Sequence, residues 1–192
     1  RSQYARNVAP ISEWYTSVKR DDDDISGVRV TGTTDEYALI STAEIDKGRF
    51  FSNSESHSGS RVAVIGKDIK DALFENEQAI GNKIRIGNYT FRVIGEIEKQ
   101  GKFLGMFSMD KQIIIPLGTH QRLFTRRGWT GINVKVAESD LNDATEELTA
   151  MMRELRHIRP AKENNFALNR QDPFKEQYGM IKLAIGGTGL FI

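Results

Sequence analysis

The chain has 192 residues, 39 % of them hydrophobic and 28 % charged, a balance that supports a folded core of one large domain or two small ones. Its 27 basic and 26 acidic residues leave a net charge of +1, so no overall basic excess points to a nucleic acid as partner. There is no cysteine, which excludes disulfide staples, Cys-based zinc sites and thiol nucleophiles.

The first residues, RSQYARNVAPISEWY, contain no apolar signal-peptide run and no initiator methionine, and are read as cut from something longer. EWYTSVKR (Glu13 to Arg20) has the residues of a strand. The four aspartates Asp21 to Asp24 lack the alternate spacing and glycine of a calcium loop and are expected at a solvated hairpin tip. GVRVTGT (Gly27 to Thr33) alternates as a second strand. TTDEYALIS follows as a short helix or turn that Thr33 or Thr34 would cap.

The Ser- and Gly-rich stretch to Ser60 reads as a flexible surface loop. Within it, SHSGS sets His57 between two serines, but neighbours in sequence rarely form a triad and the Gly-x-Ser-x-Gly elbow is absent. RVAVIG is then a strand and KDIKDALFEN a helix with Ile69, Ala72 and Leu73 on one face. This strand–glycine–helix start resembles a nucleotide-binding turn. Where a dinucleotide fold needs its second and third glycines stand Asp68 and Asp71, whose carboxylates repel phosphate. Neither Gly66-Lys67 nor Gly101-Lys102 continues to the Ser or Thr of a Walker loop. Gly66 is therefore expected only to turn a corner.

NKIRIGNYTFRVIGEIEKQG reads as two strands about a Gly87-Asn88 hairpin, with Ile84 and Ile86 on one side and Phe91 and Val93 likewise paired. NYT matches a glycosylation sequon but sits where turn chemistry explains it. KFLGMFSMD carries five apolar residues between glycine-bearing turns. A strand ending at Pro116, a short helix and the strand GINVKV come next. From Ser139, a good N-cap, Leu141, Ala144, Leu148, Met151, Met152 and Leu155 form a helical stripe. NFALNR is expected as a last strand before a helical DPFKEQYGMIKLAIGG. MIKLAIGGTGLFI is read either as a buried helix or as the start of a membrane span.

His57, His120 and His157 are far apart in sequence, and His120 and His157 are expected to be solvated or capping. No catalytic, cofactor-binding or metal-binding residue is assigned, and no cofactor is implied.

The segments VTGTTDEYALI, GRFFS, VAVIGKDIKDALF, IGNKIRIGNYTFRVIGEIEKQG, IIIPLGTHQRLF and ELTAMMRELRH ahead of NFAL occur in an order and spacing that resembles the periplasmic core domain of MacB-like ABC transporter permeases. The resemblance implies an α+β fold. A porter-like α/β subdomain would be formed by both chain ends, residues 1–36 and 119–175, with a small sabre-like α/β subdomain, residues 37–118, inserted between them. Residues 176–192 would begin a transmembrane helix or its stalk. GVRVTGT and GINVKV should then share a sheet.

The implied role is that of a non-catalytic extracytoplasmic domain of an ABC-type permease in the bacterial inner membrane, facing the periplasm. It would couple cytoplasmic ATP hydrolysis to efflux or extraction by mechanotransmission. The implied partners are a second permease subunit, an ABC ATPase module and, in envelope pumps, a periplasmic adaptor and an outer-membrane channel, but no nucleic acid. The competing reading is a freestanding small-molecule binding or hydrolytic α/β domain using the SHSGS loop. Apolar spans of about 20 residues on both sides of the domain in its reading frame would separate the two.

Overall fold

The computed structural model describes residues 2–103, 107–124 and 129–170. The start of the hydrophobic terminal run, the Leu104 and Met106 positions and residues 176–192 lie outside the described residues. The chain divides into two compact units, Tyr4–Glu138 and Arg1–Gln3 with the chain from Ser139 on.

The larger unit is built on a sheet of eight strands. Strands β1 (Asn7–Arg20) and β2 (Asp23–Thr33) form a hairpin whose turn is Asp21-Asp22, with Arg20 paired to Asp23. Asp21 takes φ of 50°, a left-handed conformation that aspartate tolerates better than most residues. All four aspartates are exposed, as expected of a hairpin tip. β1 is longer than the sequence suggests, because Asn7 to Glu13 pair with β10 (Trp129–Lys135), the last three of them also with β2. The strands containing GVRVTGT and GINVKV do share one sheet, with β1 between them.

A helical turn α1 (Tyr37–Ile40), strand β3 (Ile45–Gly48), helix α2 (Asn53–Ser58), strand β4 (Val62–Ile65) and helix α3 (Lys67–Phe74) follow. Neither threonine caps α1. Glu36 precedes it without a side-chain cap, and buried Thr33 instead donates its hydroxyl to the Pro10 carbonyl at 2.8 Å. α2 replaces part of the expected loop. Ser52 accepts from the Glu55 amide and Glu55 accepts from the Ser52 amide, a reciprocal capping box, and Gly59 closes the helix in the left-handed conformation. In α3 the buried side chains are Ile69, Leu73 and Phe74, whereas Ala72 is exposed. The helix is turned so that Phe74 reaches the core, which puts Ala72 on the outer side.

Strands β5 (Lys83–Ile86) and β6 (Tyr89–Ile97) make the expected hairpin over Gly87-Asn88, with Ile86 paired to Tyr89. Ile84, Ile86, Phe91 and Val93 are all essentially inaccessible. A small ladder joins β7 (Lys102–Phe103) to β8 (Phe107–Ser108), and β9 (Gln112–Pro116) leads into helix α4 (Leu117–Phe124).

The sheet order is β10-β1-β2-β9-β4-β6-β3, and β5 pairs with both β6 and β1. The ladders β1–β2–β9–β4–β6–β5–β1 therefore close on themselves. β2–β9 and β4–β6 are parallel, and the rest are antiparallel. One face carries the main core, in which Trp14, Val18, Val30, Ile65, Phe91 and Ile113 meet Ile69, Leu73 and Phe74 of α3. Burial of this apolar surface is the dominant stabilising term. The other face holds a smaller cluster, in which Val64, Ile94 and Ile114 are covered by Phe50, Phe51 and Ile45.

In the other unit, helix α5 spans Leu141–Leu155. It starts one residue later than expected, because Glu138–Asp140 form a 3-10 turn and Asp140, not Ser139, stands at the N-cap. Ser139 donates its hydroxyl to the Asp140 carboxylate at 2.7 Å. Of the expected stripe only Ala144 is buried, and Leu155, in the last turn, is 71 % exposed. Residues 165–170 form no strand. The chain there folds back onto α5, where Arg153 donates to the Arg159, Pro160 and Lys162 carbonyls and Arg156 donates to Asn165.

Candidate functional site

The glycine turn between β4 and α3 is the place where a phosphate would sit in a nucleotide-binding fold. The Gly66 amide donates to the Gln112 carbonyl at 2.8 Å. A Cβ placed on Gly66 would collide with the carbonyl oxygen of Asp110. The glycine therefore admits the 110–112 backbone to the start of α3, and its own amide is taken by Gln112. Asp68, in the first turn of α3, accepts from the Ser108 hydroxyl at 2.6 Å. Asp110 is buried and its carboxylate accepts from the Gln100 and Gly101 amides at 2.7 and 2.8 Å. Asp68 thus ties β8 to the start of α3, and Asp110 holds together the two ends of the loop that carries β7 and β8. Gly66 turns a corner and lets a neighbouring chain pass.

The serine–histidine segment forms no triad. His57 Nδ1 lies 2.9 Å from the Asn53 carbonyl, one helical turn back. The buried Ser56 donates to Asp35 at 3.0 Å, and the Ser58 and Ser60 hydroxyls meet each other at 2.9 Å. Each hydroxyl has a structural partner, and none of them faces the imidazole.

The three histidines stay apart. His57 is exposed on α2, and His157, with φ of 52°, is exposed just beyond α5. His120 overturns the expectation of a solvated residue, for it is 1 % exposed on the inner side of α4. Its ring centroid lies 4.9 Å from that of Trp14 and 5.9 Å from that of Phe124. Gly32 of β2 makes the room, because a Cβ there would strike the His120 side chain. Nε2 is buried without a hydrogen-bond partner among the described residues. Desolvation pushes the imidazole down to a pKa of about 4, so it packs as a neutral ring. Spacing alone did not reveal this, since the burial comes from a glycine almost ninety residues earlier.

Arg49 and Glu55 form the other marked electrostatic feature. The guanidinium makes two bonds to the carboxylate, at 2.7 and 2.9 Å. With the Ser52 amide also donating, the Glu55 carboxyl is lowered to about 2. This pair fastens α2 to the end of β3 and is structural. Among the described residues no group of three or more metal-ligating side chains comes together, and no helix is long and apolar enough to cross a membrane.

Comparison with known proteins adds what this geometry leaves open. The family model for the MacB-like periplasmic core domain matches residues 1–151. The macrolide export ATP-binding/permease protein MacB of Bdellovibrio bacteriovorus is 31 % identical over 143 residues, 73 % of this chain and 22 % of that protein. The pyoverdine export ATP-binding/permease protein PvdT of Pseudomonas entomophila is 28 % identical over 130 residues, 67 % of this chain and 20 % of that protein. The chain thus spans about a fifth of the length of these relatives.

Among solved structures, the periplasmic region of MacB from Actinobacillus actinomycetemcomitans superposes with a TM-score of 0.72 at 19 % identity, covering 98 % of this chain and 79 % of that one. The extracellular domain of the ABC-type transporter YknZ from Gram-positive bacteria gives 0.70 at 16 % identity, covering 83 % and 80 %. These likenesses show the same α+β fold. The family match takes in every strand of the eight-stranded sheet, and the chain belongs to the MacB-like periplasmic core domain family of ABC transporter permeases.

Proposed function

We propose that this domain carries no chemistry of its own and works as the extracytoplasmic, force-transmitting part of an export permease in the bacterial inner membrane. ATP hydrolysed by a cytoplasmic ABC module would move it through the membrane helices. That movement would drive efflux or extraction of a substrate on the periplasmic side. The observation that carries the reading is the family match over residues 1–151, which comprises the whole closed sheet and its core. The relatives' names support export as the class of activity, macrolides for one and pyoverdine for another. A second permease subunit, a periplasmic adaptor and an outer-membrane channel belong to the same reading.

The division into a porter-like part (residues 1–36 and 119–175) and a sabre-like part (residues 37–118) belongs to it too. In its favour, β10, β1 and β2 are contiguous in the sheet, as are β9, β4, β6 and β3. The parallel β2–β9 pair joins the two groups, and β5 returns to β1. A shared core of this kind suits a part that must pass on displacement as a body, because close-packed interiors transmit strain.

Calorimetric titration of the 192-residue chain with magnesium-ATP is expected to give no binding heat. Micromolar, magnesium-dependent binding would overturn the non-catalytic reading.

A further inference from the structure

The outward face of the β1–β5–β6 ladder carries an accumulation of positive charge that the fold does not use. Lys19 of β1 stands between Arg85 of β5 and Asp24 of β2, and Lys83 of β5 stands opposite Arg92 of β6. Residues directly opposite in an antiparallel pair have Cβ atoms about 4.5–5.5 Å apart, and like charges there destabilise the sheet. All four side chains are exposed, while their strand neighbours Val18, Ile84, Ile86 and Phe91 point into the core. None of the four takes part in an ion pair among the described residues.

Two adjoining concavities of about 560 and 520 Å³ open on this face, and Lys83 and Thr90 line both. Of the carboxylates on their walls, Glu55 is held by Arg49, and Asp21 stays largely exposed at the hairpin tip, 3.7 Å from Arg20.

We propose that the Lys19–Arg85 and Lys83–Arg92 pairs form a docking surface for an acidic segment of a partner protein. Asp24 of β2 stands opposite Lys19 on its other side, whereas Lys83, Arg85 and Arg92 face no carboxylate across their ladders, and an anionic occupant relieves the repulsion among these three. The basic groups line two shallow, open depressions that protruding acidic side chains can enter. Every strand here is already paired on both sides, so the partner is held by side-chain charge and not by strand addition. Among the described residues β5 and β6 offer no exposed aromatic ring for base stacking, because Phe91 is buried and the Tyr89 ring turns inward and meets Phe124 edge-on at 5.5 Å. The surface stands apart from the coupling function proposed above and is tested without nucleotide.

The test is fluorescence anisotropy of a labelled hexaglutamate peptide with the 192-residue chain. Three variants accompany it: Lys83→Glu/Arg85→Glu, the distant charge-matched Lys47→Glu/Lys99→Glu, and Lys83→Thr. The peptide is expected to bind at about 0.01 M ionic strength and at least roughly tenfold more weakly at about 0.15 M. Lys83→Glu/Arg85→Glu is expected to lose at least about tenfold in affinity, and the distant pair to lose little. Lys83→Thr is expected to bind more weakly while melting no lower than the parent chain, since it removes a repulsion. The proposal is overturned if no peptide binds at low salt, or if both charge reversals weaken it equally. Binding to phosphatidylglycerol vesicles without binding to the peptide overturns it too, in favour of a membrane surface.

Discussion

Gly66 and the carbonyl of Asp110 are packed so closely that no side chain fits between them. Gly66→Ala must therefore push the 110–112 backbone away from the start of α3, breaking the bond from the Gly66 amide to Gln112 or straining it. A loss of about 1–3 kcal/mol is expected, as for other overpacked sites, measured by urea denaturation. A variant as stable as the parent would mean that the turn is open, as a ligand-binding turn would be.

The face that α3 buries can be tested with adjacent residues. Leu73 is fully buried and Ala72 is exposed, so Leu73→Ala should cost about 2–5 kcal/mol and Ala72→Gln no more than about 0.5 kcal/mol. Equal, small losses on denaturation would show that the helix is not docked through Ile69, Leu73 and Phe74.

The buried imidazole of His120 gives the fold an acid sensitivity. An unfolded chain binds this proton near pH 6.5, whereas the folded chain resists it until about pH 4. Between those values the unfolded state holds more protons, so stability is complete above about pH 6.5 and falls with pH by up to about 1.4 kcal/mol per unit from this residue. His120→Leu, which also removes the unpartnered Nε2, should flatten the stability curve across that window. Denaturant midpoints measured from pH 7 to pH 4.5 check it, and an equally steep fall in the variant would assign the effect elsewhere.

Glu55 acts in a lower window. Arg49 and the Ser52 amide hold its carboxyl near 2, so its contribution is present above about pH 4.5 and is lost as the pH falls toward 2. At neutral pH, Ser52→Ala removes the other half of the capping box and should cost about 1 kcal/mol, read from the thermal midpoint. No change on Ser52→Ala would mean that α2 does not depend on its cap.

What the sequence disclosed were features set by local chemistry. The hairpins at Asp21-Asp22 and Gly87-Asn88 follow from turn residues between alternating strands, and the α3 corner follows from Gly66 flanked by the wrong residues for phosphate. The cap of α2 was also written there, as Ser52 three residues before Glu55, but the surrounding serines and glycines obscured it. The first half of β1 was not legible, because Pro10 argues against a strand and only the pairing with distant β10 overrides it. NFALNR has strand-like residues, yet Arg153 and Arg156 claim its neighbouring backbone for the α5 unit. His120 looked solvated because its burial depends on Gly32 and Trp14, which sequence spacing does not bring near it.

The coupling role is tested most directly by distance measurement in the full-length permease. The domain contains no cysteine, so Asn88→Cys, in the exposed β5–β6 turn, gives one spin-label position per copy once any cysteines elsewhere in the permease are replaced. Pulsed electron–electron resonance between two copies, in lipid, is to be recorded without nucleotide and with hydrolysis trapped. The expected result is a distance distribution that shifts with nucleotide state, while the isolated domain shows no response to ATP. Identical distributions in both states, from a permease that hydrolyses ATP at its normal rate, would contradict force transmission through this domain.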